Sequence, residues 1–584
     1  VGYKPHVAGA VETAASVDGQ IMPPVMGAAA FLMVEYVGIP YTQIIKHAAL
    51  PAIMSYIALF YIVHLEACKE GLQGIPRDHM PPVMSRVISF VMSVAGIVIL
   101  ANIMYFGLGW IKDVAGAASV WIIGVLMLGA YIALLKYEAG YPELHLEDPN
   151  SPILKLPETG PTIKSGLHFL LPVVALIWNL MIEELSPALS AFWATMFLIF
   201  ILVTQRPLSA WFRGKKSVGE EVAEGFRDLK TGLVAGSRNM IGVAIATSTA
   251  GIIVGTVTLT GIGLVLADVV EMMSAGNLFM MLCWVAIASL ILGMGVPTTA
   301  NYIIVSSLMA PVVVELGAQS GLIVPLIAVH MFVFYFGIMA DVTPPVGLAA
   351  YAAAGIAKAD PLVTGFTAFW YSIRTSVLPF MFIYNTQLLL IGIDSVPHFI
   401  LVVTSAVVAS LLFVAASQNW FLTRSRWYET ALLLLIAFSL FRPGFWMDRI
   451  APQFETIPST QLIQLIEKAP ADGQLRVWVE GEDINGDPVK KGMLLPLGEP
   501  GSAAQRLERF GLRIIPSGEQ FSVMSVKFRS PAAKAGFQVG QLMTSIEVET
   551  DRPKKEWIYV PVLFVLALVV VLQRRRIATE ARVV

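Results

Sequence analysis

Long apolar runs, each close to the length that spans a lipid bilayer, constrain this chain more than any other feature of its sequence. A transmembrane helix needs about 20 mostly apolar residues. Candidate runs lie near residues 46–66, 84–108, 117–136, 165–184, 187–204, 365–391, 396–416, 427–441 and 557–572. Only 14% of the 584 residues are charged and the mean hydropathy is +0.72, whereas soluble domains carry roughly a quarter charged residues. The sequence therefore predicts an all-α polytopic membrane protein, and no stretch has the pattern of a nucleic-acid-binding element.

The apolar sequence between about 233 and 356 does not divide into 20-residue spans. Glycines and prolines interrupt it at 293–297, Pro311, Pro325 and 343–345. Irregular backbone at membrane depth persists only where protein buries it or where it lines a cavity. We therefore expect broken or re-entrant helices in this region.

Basic residues predict which ends of these runs face the cytoplasm. The segment 206–230 contains six Lys and Arg residues, Arg424 and Arg426 precede the 427–441 run, and 574–576 are three arginines. All three positions are expected in the cytoplasm, which places 442–556 outside. That region is charged and has alternating, strand-like runs at 475–480 and 521–528, so it predicts a small β-rich domain. The segment 530–541 resembles the helix entry of a PDZ-like fold, and a β-rich cap without a peptide groove is the alternative.

Two segments of the chain repeat one another. Residues 20–29 read QIMPPVMGAA and residues 341–350 read DVTPPVGLAA, and a further proline follows each, Pro40 or Pro361. The Pro-Pro pairs, the Ala-Ala pairs and the later prolines all keep a separation of 321 positions. Chance similarity of alanine-rich sequence is the alternative, and the matched prolines argue against it.

Such a repeat has a physical consequence. Proline removes a backbone N–H and clashes with the preceding helical turn, and it also disfavours helical geometry in the residue before it. Pro-Pro within an apolar segment therefore opens a helix. The freed carbonyls near 19–22 and 340–343 can coordinate a cation, and the following half-helix presents its positive N-terminus to an anion. Two such breaks in corresponding positions are typical of a secondary transporter with its site at the membrane midplane.

A third motif, GMGVPTTANY at 293–302, lies between two short apolar runs, about 278–292 and 303–316. Each run is too short to span comfortably, so the motif predicts the tip of a helical hairpin. Glycines permit close backbone approach, and threonine hydroxyls and backbone carbonyls are hard oxygen ligands that suit Na⁺. Threonine hydroxyls bonded back to the helix of a kinked span are the alternative. The Na⁺-ligand candidates are Gly19, Thr298, Thr299 and Thr343.

Three ionisable residues accompany these motifs, and charged groups within a membrane are usually functional. Asp341 could ligate Na⁺, carry a proton or cap a half-helix, and we favour a cap or a supporting role. Asp18 is a candidate site residue beside the first break, with a turn-forming role as the alternative. Arg374, inside the 365–391 run, either attracts an anionic substrate or extends to the membrane interface.

Three stretches resemble a known transporter family. They are GAVETAASVDGQIMPPVMGAAAFLMVEYVGIPY (9–41), GMGVPTTANYIIVSSLMAPVVVELG (293–317) and FYFGIMADVTPPVGLAAYAAAGIAKADP (334–361). They are similar to the fused permease of tripartite ATP-independent periplasmic (TRAP) transporters, and to the TAXI type in particular. The resemblance covers about 1–390, and residues 440–576 are similar to a C-terminal extension of some of these permeases.

The resemblance implies a function. TRAP permeases import organic acids with an ion gradient, usually of Na⁺, and need no other cofactor. A solute-binding protein outside the cytoplasm, here expected to be of TAXI type, delivers the substrate. The large subunit has two inverted repeats, each with a re-entrant hairpin and a discontinuous helix, and moves its site by an elevator motion. The implied location is the bacterial or archaeal cytoplasmic (inner) membrane.

The family's site residues carry over by motif onto both discontinuous helices and the second hairpin tip, and none is catalytic. From the first discontinuous helix they are Ser16, Gly19, Gln20, Ile21, Pro23 and Pro24. From the hairpin tip they are Gly293, Gly295, Pro297, Thr298 and Thr299. From the second discontinuous helix they are Asp341, Thr343, Pro344, Pro345 and Gly347.

The resemblance also implies a domain division. It assigns 1–391 to the transport and scaffold region, 392–441 to additional transmembrane helices, 442–556 to the extracytoplasmic domain and 557–584 to a final helix with a basic tail. A four-helix region and a first hairpin are expected before Val1, so the transport region is expected to be incomplete at its N-terminus.

Two other classes of protein are weaker alternatives. An intramembrane protease with an external PDZ-like domain needs a motif such as His-Glu-x-x-His, and the nearest sequence, HLEAC at 64–68, lacks the second histidine. An aspartyl protease needs two facing carboxylates, for which Asp18 and Asp341 are the only proposal. A passive channel fits repeated broken helices less well than alternating access does.

Overall fold

The computed structural model describes residues 2–583 except for short gaps, which are 73–81, 142–158, 215–217, 262–264, 266–268, 270–271, 275–276, 320–321, 394, 472 and 483–487. The chain forms two compact units. One comprises 1–38, 44–73 and 246–584, and the other comprises 39–43 and 74–245. The sequence did not predict this division, and two of its boundaries, 43/44 and 245/246, fall inside helices.

Helices make up the membrane part of the protein. In the first half of the chain they are α1 (Pro5–Asp18), α2 (Ala28–Val37), α3 (Tyr41–Lys69), α4 (Val83–Ala115), α5 (Ser119–Glu138), α6 (Thr159–Lys164), α7 (Leu171–Met181), α8 (Pro187–Phe212) and α9 (Val218–Thr260). Those that follow are α10 (Leu278–Leu292), α11 (Thr298–Gln319), α12 (Leu326–Ala340), α13 (Leu348–Ala357), α14 (Pro361–Tyr384), α15 (Val396–Ser417), α16 (Trp427–Phe441) and α17 (Gly444–Ile450). Among the described residues, six helices are long and apolar enough to cross a membrane, and the bent pair α16–α17 makes a seventh. The protein is a polytopic membrane protein, as predicted.

The sequence repeat is a repeat of helices. α1 and α12 begin at Pro5 and Leu326, which are 321 positions apart, and each ends shortly before a Pro-Pro pair. A ten-residue half-helix follows each break, α2 or α13, and a long helix follows each half-helix, α3 or α14. Both Pro-Pro bonds are cis. The two predicted helix breaks are therefore confirmed.

The central helix of the first unit is α12. Every residue of it after Leu326 is buried, which is the expected position for a helix that is apolar on all sides. It packs against α10, α11, α14 and α2, while α1 packs against α13 and α14. The C-terminal end of α12 therefore places the second break inside the protein.

The hairpin predicted at 293–302 consists of α10, a tight turn and α11. Asn277 caps α10 by accepting hydrogen bonds from the N–H groups of Phe279 and Met280. One prediction was wrong, because α11 begins at Thr298 rather than near 303. Its 22 residues make it long enough to span a membrane.

Two other predicted boundaries were also wrong. The 365–391 run is α14, which begins at Pro361 because Asp360 caps it with a 2.9 Å bond from the Val363 N–H. It ends at Tyr384, and a short 3₁₀ turn, Thr386–Leu389, follows.

The basic segment 206–230 is mostly helical rather than a loop, since Arg206 lies in α8 and α9 begins at Val218. Lys215 and Lys216 lie outside the described residues. Basic residues predict the side of the membrane but not the local backbone, and Lys, Arg and Glu are good helix formers.

The second unit contains its own buried polar cluster. His168 donates its backbone N–H to Glu138 Oε1 (2.9 Å), and its ring nitrogens lie 2.6 Å from Glu138 Oε2 and 2.7 Å from Gln205 Oε1. These contacts join the end of α5 to α8 and to the 3₁₀ turn Leu167–Leu170 before α7. Burial of these groups is tolerated because each has a partner.

The C-terminal region contains the predicted small β domain. Its strands are β1 (Phe454–Pro458), β2 (Gln474–Glu482), β3 (Pro488–Pro496), β4 (Leu512–Ser517), β5 (Gln520–Val526) and β6 (Leu542–Glu549). They form one antiparallel sheet in the order β3-β2-β6-β5-β4, with β1 also paired to β6. The short helices α18 (Leu462–Lys468), α19 (Ala503–Phe510) and α20 (Pro531–Lys534) accompany it, and α21 (Tyr559–Val583) follows it. The alternation of buried Leu475, Val477 and Val479 along β2 is the pattern from which this sheet was predicted.

Candidate functional site

The first helix break is a short 3₁₀ turn followed by irregular chain. α1 ends at Asp18, the turn covers Gly19–Ile21, and α2 begins at Ala28. The Gly27 N–H donates to the Gln20 carbonyl across the break at 2.7 Å. The break is therefore a defined structure in which the two half-helices remain connected through Gln20.

The second break repeats this arrangement at the end of α12. The Ala349 N–H donates to the Asp341 carbonyl at 3.3 Å, and Asp341 occupies the position equivalent to Gln20. Gly347 lies so close to Val342 that a Cβ at this position would stand 2.9 Å from the Val342 carbonyl carbon. A side chain at 347 would therefore force the two sides of the break apart.

The two breaks and the hairpin tip meet at the Asp341 carboxylate. Thr298, the first residue of α11, donates its hydroxyl to Asp341 Oδ2 at 2.6 Å. The side chain of Gln20 is a second hydrogen-bonding partner of this carboxylate. Gln20 and Asp341 are equivalent positions of the sequence repeat, 321 residues apart, so their contact brings the two breaks against each other. The structure therefore places both breaks and the tip at the centre of the repeat.

The hairpin tip is tightly packed against this centre. Gly295 has a φ of +75°, which favours glycine. A Cβ at Gly293 would overlap the side chains of Asn301 and Ala340. Asn301 is fully buried and its amide donates to the Ser289 carbonyl at 3.1 Å, but its Oδ1 has no hydrogen-bond partner among the described residues. Since buried polar atoms are nearly always paired, this oxygen is available to a ligand.

Asp18 and Arg374 form a buried ion pair, a role that the sequence did not predict for either residue. Asp18 Oδ2 is paired with Arg374 Nη2 and accepts a 2.8 Å bond from the Ser55 hydroxyl. Asp18 Oδ1 accepts from the Thr375 hydroxyl at 3.3 Å. The turn-forming alternative for Asp18 does not apply, because its carboxylate is bonded to side chains of α3 and α14. Of the two alternatives for Arg374, extension to the membrane interface does not apply, because only 5% of this residue is exposed.

For the other predicted site residues, no hydrogen bond to the Asp341 carboxylate is found among the described contacts. Thr343 donates its hydroxyl back to the Met339 carbonyl of α12 at 2.7 Å. Ser16 is on the exposed side of α1 and bonds Glu12 at 3.2 Å, so the structure does not bring it to the centre. Ile21 is fully buried. The remaining candidates are all at least partly accessible; they are Gly19, Pro23, Pro24, Pro297, Thr299, Pro344 and Pro345.

Asp341 does not cap the half-helix that follows it. The N-cap of α13 is Gly347, and Asp341 instead follows the last residue of α12. Its carboxylate accepts the Thr298 hydroxyl, so the geometry agrees with a supporting role and not with the capping role.

Three residues of the site were not predicted. Asn301 was within the tip motif, and its polar side chain in an apolar run was the available signal. Ser55 and Thr375 lie in long apolar helices and gave no signal, because serine and threonine occur in such helices for many reasons.

The oxygen atoms at the centre suit a hard cation. Among the described residues, no three His, Cys, Asp or Glu side chains converge on one point. The Asp341 carboxylate and the Thr298 hydroxyl meet there, and the hairpin tip and the two breaks add further hydroxyls, backbone carbonyls and the Asn301 amide oxygen. Oxygen ligands of this kind bind hard cations, whereas the softer transition metals prefer nitrogen and sulfur.

Comparison with known families identifies the chain. The family described as tripartite ATP-independent periplasmic transporter, DctM component, matches residues 1–121 and 113–399. The protein belongs to the DctM family. It is therefore a TRAP transporter permease, a secondary transporter and not an enzyme, so the protease alternative was wrong. A second family, domain of unknown function DUF3394, matches residues 399–579, and a search of curated proteins found no match. A DctM permease works with a periplasmic solute-binding protein.

Proposed function

We propose that this DctM permease imports a small organic acid together with Na⁺ across the inner membrane of a bacterium or archaeon. A TAXI-type binding protein delivers the acid from outside. The observation that carries the proposal is the meeting of Gln20, Thr298 and Asp341 at the centre of the helix repeat. In transporters built from repeated broken helices, substrate and ion sites lie at the interface of the repeats.

The Na⁺ ligands proposed are oxygen atoms from the tip and the second break. Thr298, Thr299 and Thr343 supply hydroxyls, and the buried Asn301 Oδ1 adds an acceptor that has no partner among the described residues. Backbone carbonyls contribute as well, since each carbonyl oxygen has two lone pairs and remains able to bind after accepting one hydrogen bond. Gly19 offers such a carbonyl at the first break.

The proposed anion contacts are the N-termini of the two half-helices. α2 and α13 begin after Gly27 and Gly347, and neither has a side-chain cap. Their first residues, Ala28 and Leu348, are exposed. The Ala349 N–H is already bonded to the Asp341 carbonyl, and the other N–H groups of the first turns are proposed to bind a carboxylate. Arg374 is not proposed as an anion contact, because its guanidinium is already bound to Asp18 and to the Ser55 carbonyl.

Uptake into proteoliposomes tests the proposal. The permease is reconstituted with a candidate TAXI-type binding protein, labelled organic acids and an imposed inward Na⁺ gradient. Uptake that needs both the gradient and the binding protein supports the proposal. Uptake driven by a proton gradient alone would refute Na⁺ coupling and make Asp341 the candidate proton carrier.

Substitution of Thr298 tests the ion site. Thr298→Val keeps the shape of the side chain and removes the hydroxyl that donates to Asp341. We expect a half-saturating Na⁺ concentration at least about tenfold higher, since a hydrogen bond to a charged group contributes about 1.5–3 kcal/mol and about 1.4 kcal/mol corresponds to a factor of ten. The matched control is Thr367→Val on α14, a partly exposed threonine whose hydroxyl bonds only back to the Val363 carbonyl among the contacts described. Equal Na⁺ dependence in both variants would contradict a role for Thr298.

A further inference from the structure

The buried polar network behind the first break suggests a role that the ion and anion sites do not use. It joins three helices: Asp18 ends α1, Ser55 lies in α3, and Arg374 and Thr375 lie in α14. Besides their bonds to Asp18, the Ser55 and Thr375 hydroxyls are 3.0 Å apart. All four residues are at most 5% exposed, so the network is closed off from solvent and lipid.

The guanidinium of Arg374 is oriented by backbone carbonyls as well as by the carboxylate. Its Nε donates to the Ser55 carbonyl at 3.1 Å, and its Nη1 donates to the Tyr371 carbonyl. The planar fork of arginine fixes the direction of each of these bonds. Arg374 therefore holds Asp18 at a defined position relative to both α3 and α14.

The position of Asp18 determines where the first break begins. Gly19 follows it directly and starts the 3₁₀ turn, and Gln20, two residues beyond Asp18, reaches Asp341. Two peptide units separate the buried carboxylate from the residue that joins the two breaks. Displacement of the end of α1 would therefore displace Gln20.

A buried ion pair is a poor way to gain stability, since apolar residues of similar volume often stabilise a core as well or better. Its best-attested use is to fix one arrangement among several. We propose that Arg374 is a positioning residue: acting through Asp18, it fixes the end of α1 and so holds Gln20 against Asp341. The positioning of Gln20 is inferred from geometry alone, whereas its effect on transport rests on the proposed function.

The first experiment measures the positioning without transport. In a background where Cys68 and Cys283 are replaced by alanine, cysteines at 20 and 341 are linked with a bismethanethiosulfonate that has a two-carbon spacer. We expect rapid linking when Asp18 and Arg374 are intact and a several-fold lower rate in Asp18→Asn/Arg374→Met. An unchanged rate would overturn the proposal.

The double substitution separates positioning from stability. Asp18→Asn or Arg374→Met alone leaves one buried charge unpaired, which lowers the melting temperature. The double variant removes both charges, so we expect it to recover most of the melting temperature without recovering the linking rate. Recovery of both together would show that the pair is merely structural and would overturn the proposal.

The transport consequence is measured with the native residues at 20 and 341. We expect the half-saturating Na⁺ concentration of the double variant to be about fivefold higher or more, which is the lower end of typical coupling between sites.

The matched control is Ser410→Ala, because the buried Ser410 hydroxyl lines the same small cavity as Arg374 and has no partner among the described residues. It is expected to change neither the linking rate nor the Na⁺ dependence. Absence of Na⁺-driven uptake in the unmodified protein would refute the proposed function, while the linking rates would still decide the positioning role.

Discussion

At the scale of single residues, two buried arginines show two ways to satisfy a charge. Arg374 is paired with a carboxylate, whereas Arg506 in the β domain is surrounded by backbone carbonyls. Only 1% of Arg506 is exposed. Its donors reach the carbonyls of Ile466, Ala469, Pro470, Leu497 and Gly498 at 2.6–3.0 Å. It therefore ties the end of α18 and the chain after β3 to α19.

Arg506→Lys is expected to destabilise the β domain. Lysine has three donors at one point and cannot reproduce five bonds arranged around a planar fork. Loss of at least two bonds to a charged group lowers the free energy of unfolding by about 3 kcal/mol. Hydrogen exchange of the β2 amides in the full protein measures this loss.

The control for this prediction lies on the same helix. Arg509 bonds the Glu499 carbonyl at 3.3 Å and its side chain is 52% exposed, so Arg509→Lys should change the stability by less than about 0.5 kcal/mol. Equal protection of β2 in the two variants would contradict the structural role of Arg506.

At the scale of elements, the helix breaks depend on glycine as well as on proline. The prolines stop each helix, and Gly347 then permits the close approach of the chain on either side of the second break. Each half-helix is followed directly by a left-handed residue, Gly38 after α2 and Lys358 after α13. This repetition shows that each break and its half-helix form one unit.

Gly347→Ala is expected to abolish or strongly reduce uptake while the protein still inserts and folds. The added Cβ would stand 2.9 Å from the Val342 carbonyl carbon and 3.2 Å from the Asp341 carbonyl oxygen, and overpacking of this kind costs about 1–3 kcal/mol. The backbone would move at the residue that binds Thr298. Uptake and melting temperature of the purified protein are compared.

Gly355→Ala provides the control within the same half-helix, because a Cβ there meets nothing within 4 Å. It should leave uptake unchanged and stabilise α13 slightly, since alanine has the higher helix propensity. Similar losses of uptake in both variants would show that α13 tolerates no substitution, and would contradict a specific need for glycine at position 347.

At the scale of the whole first unit, the β domain contacts the hairpin. Lys491 Nζ on β3 lies 2.9 Å from Glu315 Oε1 near the end of α11, and β3 packs along this end of the helix. Asn385 contacts the chain on both sides of the β domain. Its side-chain amide donates to the Phe441 carbonyl at 2.8 Å, and its Oδ1 accepts from the Lys555 ammonium at 3.4 Å. A partly exposed ion pair contributes only about 0–1 kcal/mol, so this contact can break during transport.

Covalent linkage of α11 to β3 tests whether the contact breaks. In the cysteine-free background, cysteines at 315 and 491 are joined with a short bismethanethiosulfonate. If the hairpin moves relative to the β domain in each cycle, linkage should stop uptake, and reduction should restore it. The two single-cysteine variants, treated in the same way, should transport normally. Full uptake by the linked protein would show that the hairpin and the β domain move as one body.

The sequence by itself determined the class of protein, the two breaks and the hairpin. These features follow from local chemistry: apolar length sets the spans, Pro-Pro removes N–H groups from a helix, and a Gly-Pro-Thr cluster cannot continue one. The β domain was predictable for the same reason, since alternation along β2 is visible within a few residues. The family resemblance, carried by the same motifs, led to the assignment that the family comparison confirmed.

Only the tertiary structure decided which polar groups meet. Asp18 and Arg374 are 356 positions apart, and each alone fitted several roles, because burial and pairing depend on how α1, α3 and α14 pack. The Asn301 Oδ1, which has no hydrogen-bond partner among the described residues, likewise could not be predicted, because its burial depends on the packing of Gly293 and Ala340 against the Asn301 side chain. Local sequence specifies where a helix must break, whereas the partner of a buried charge is determined by packing over the whole chain.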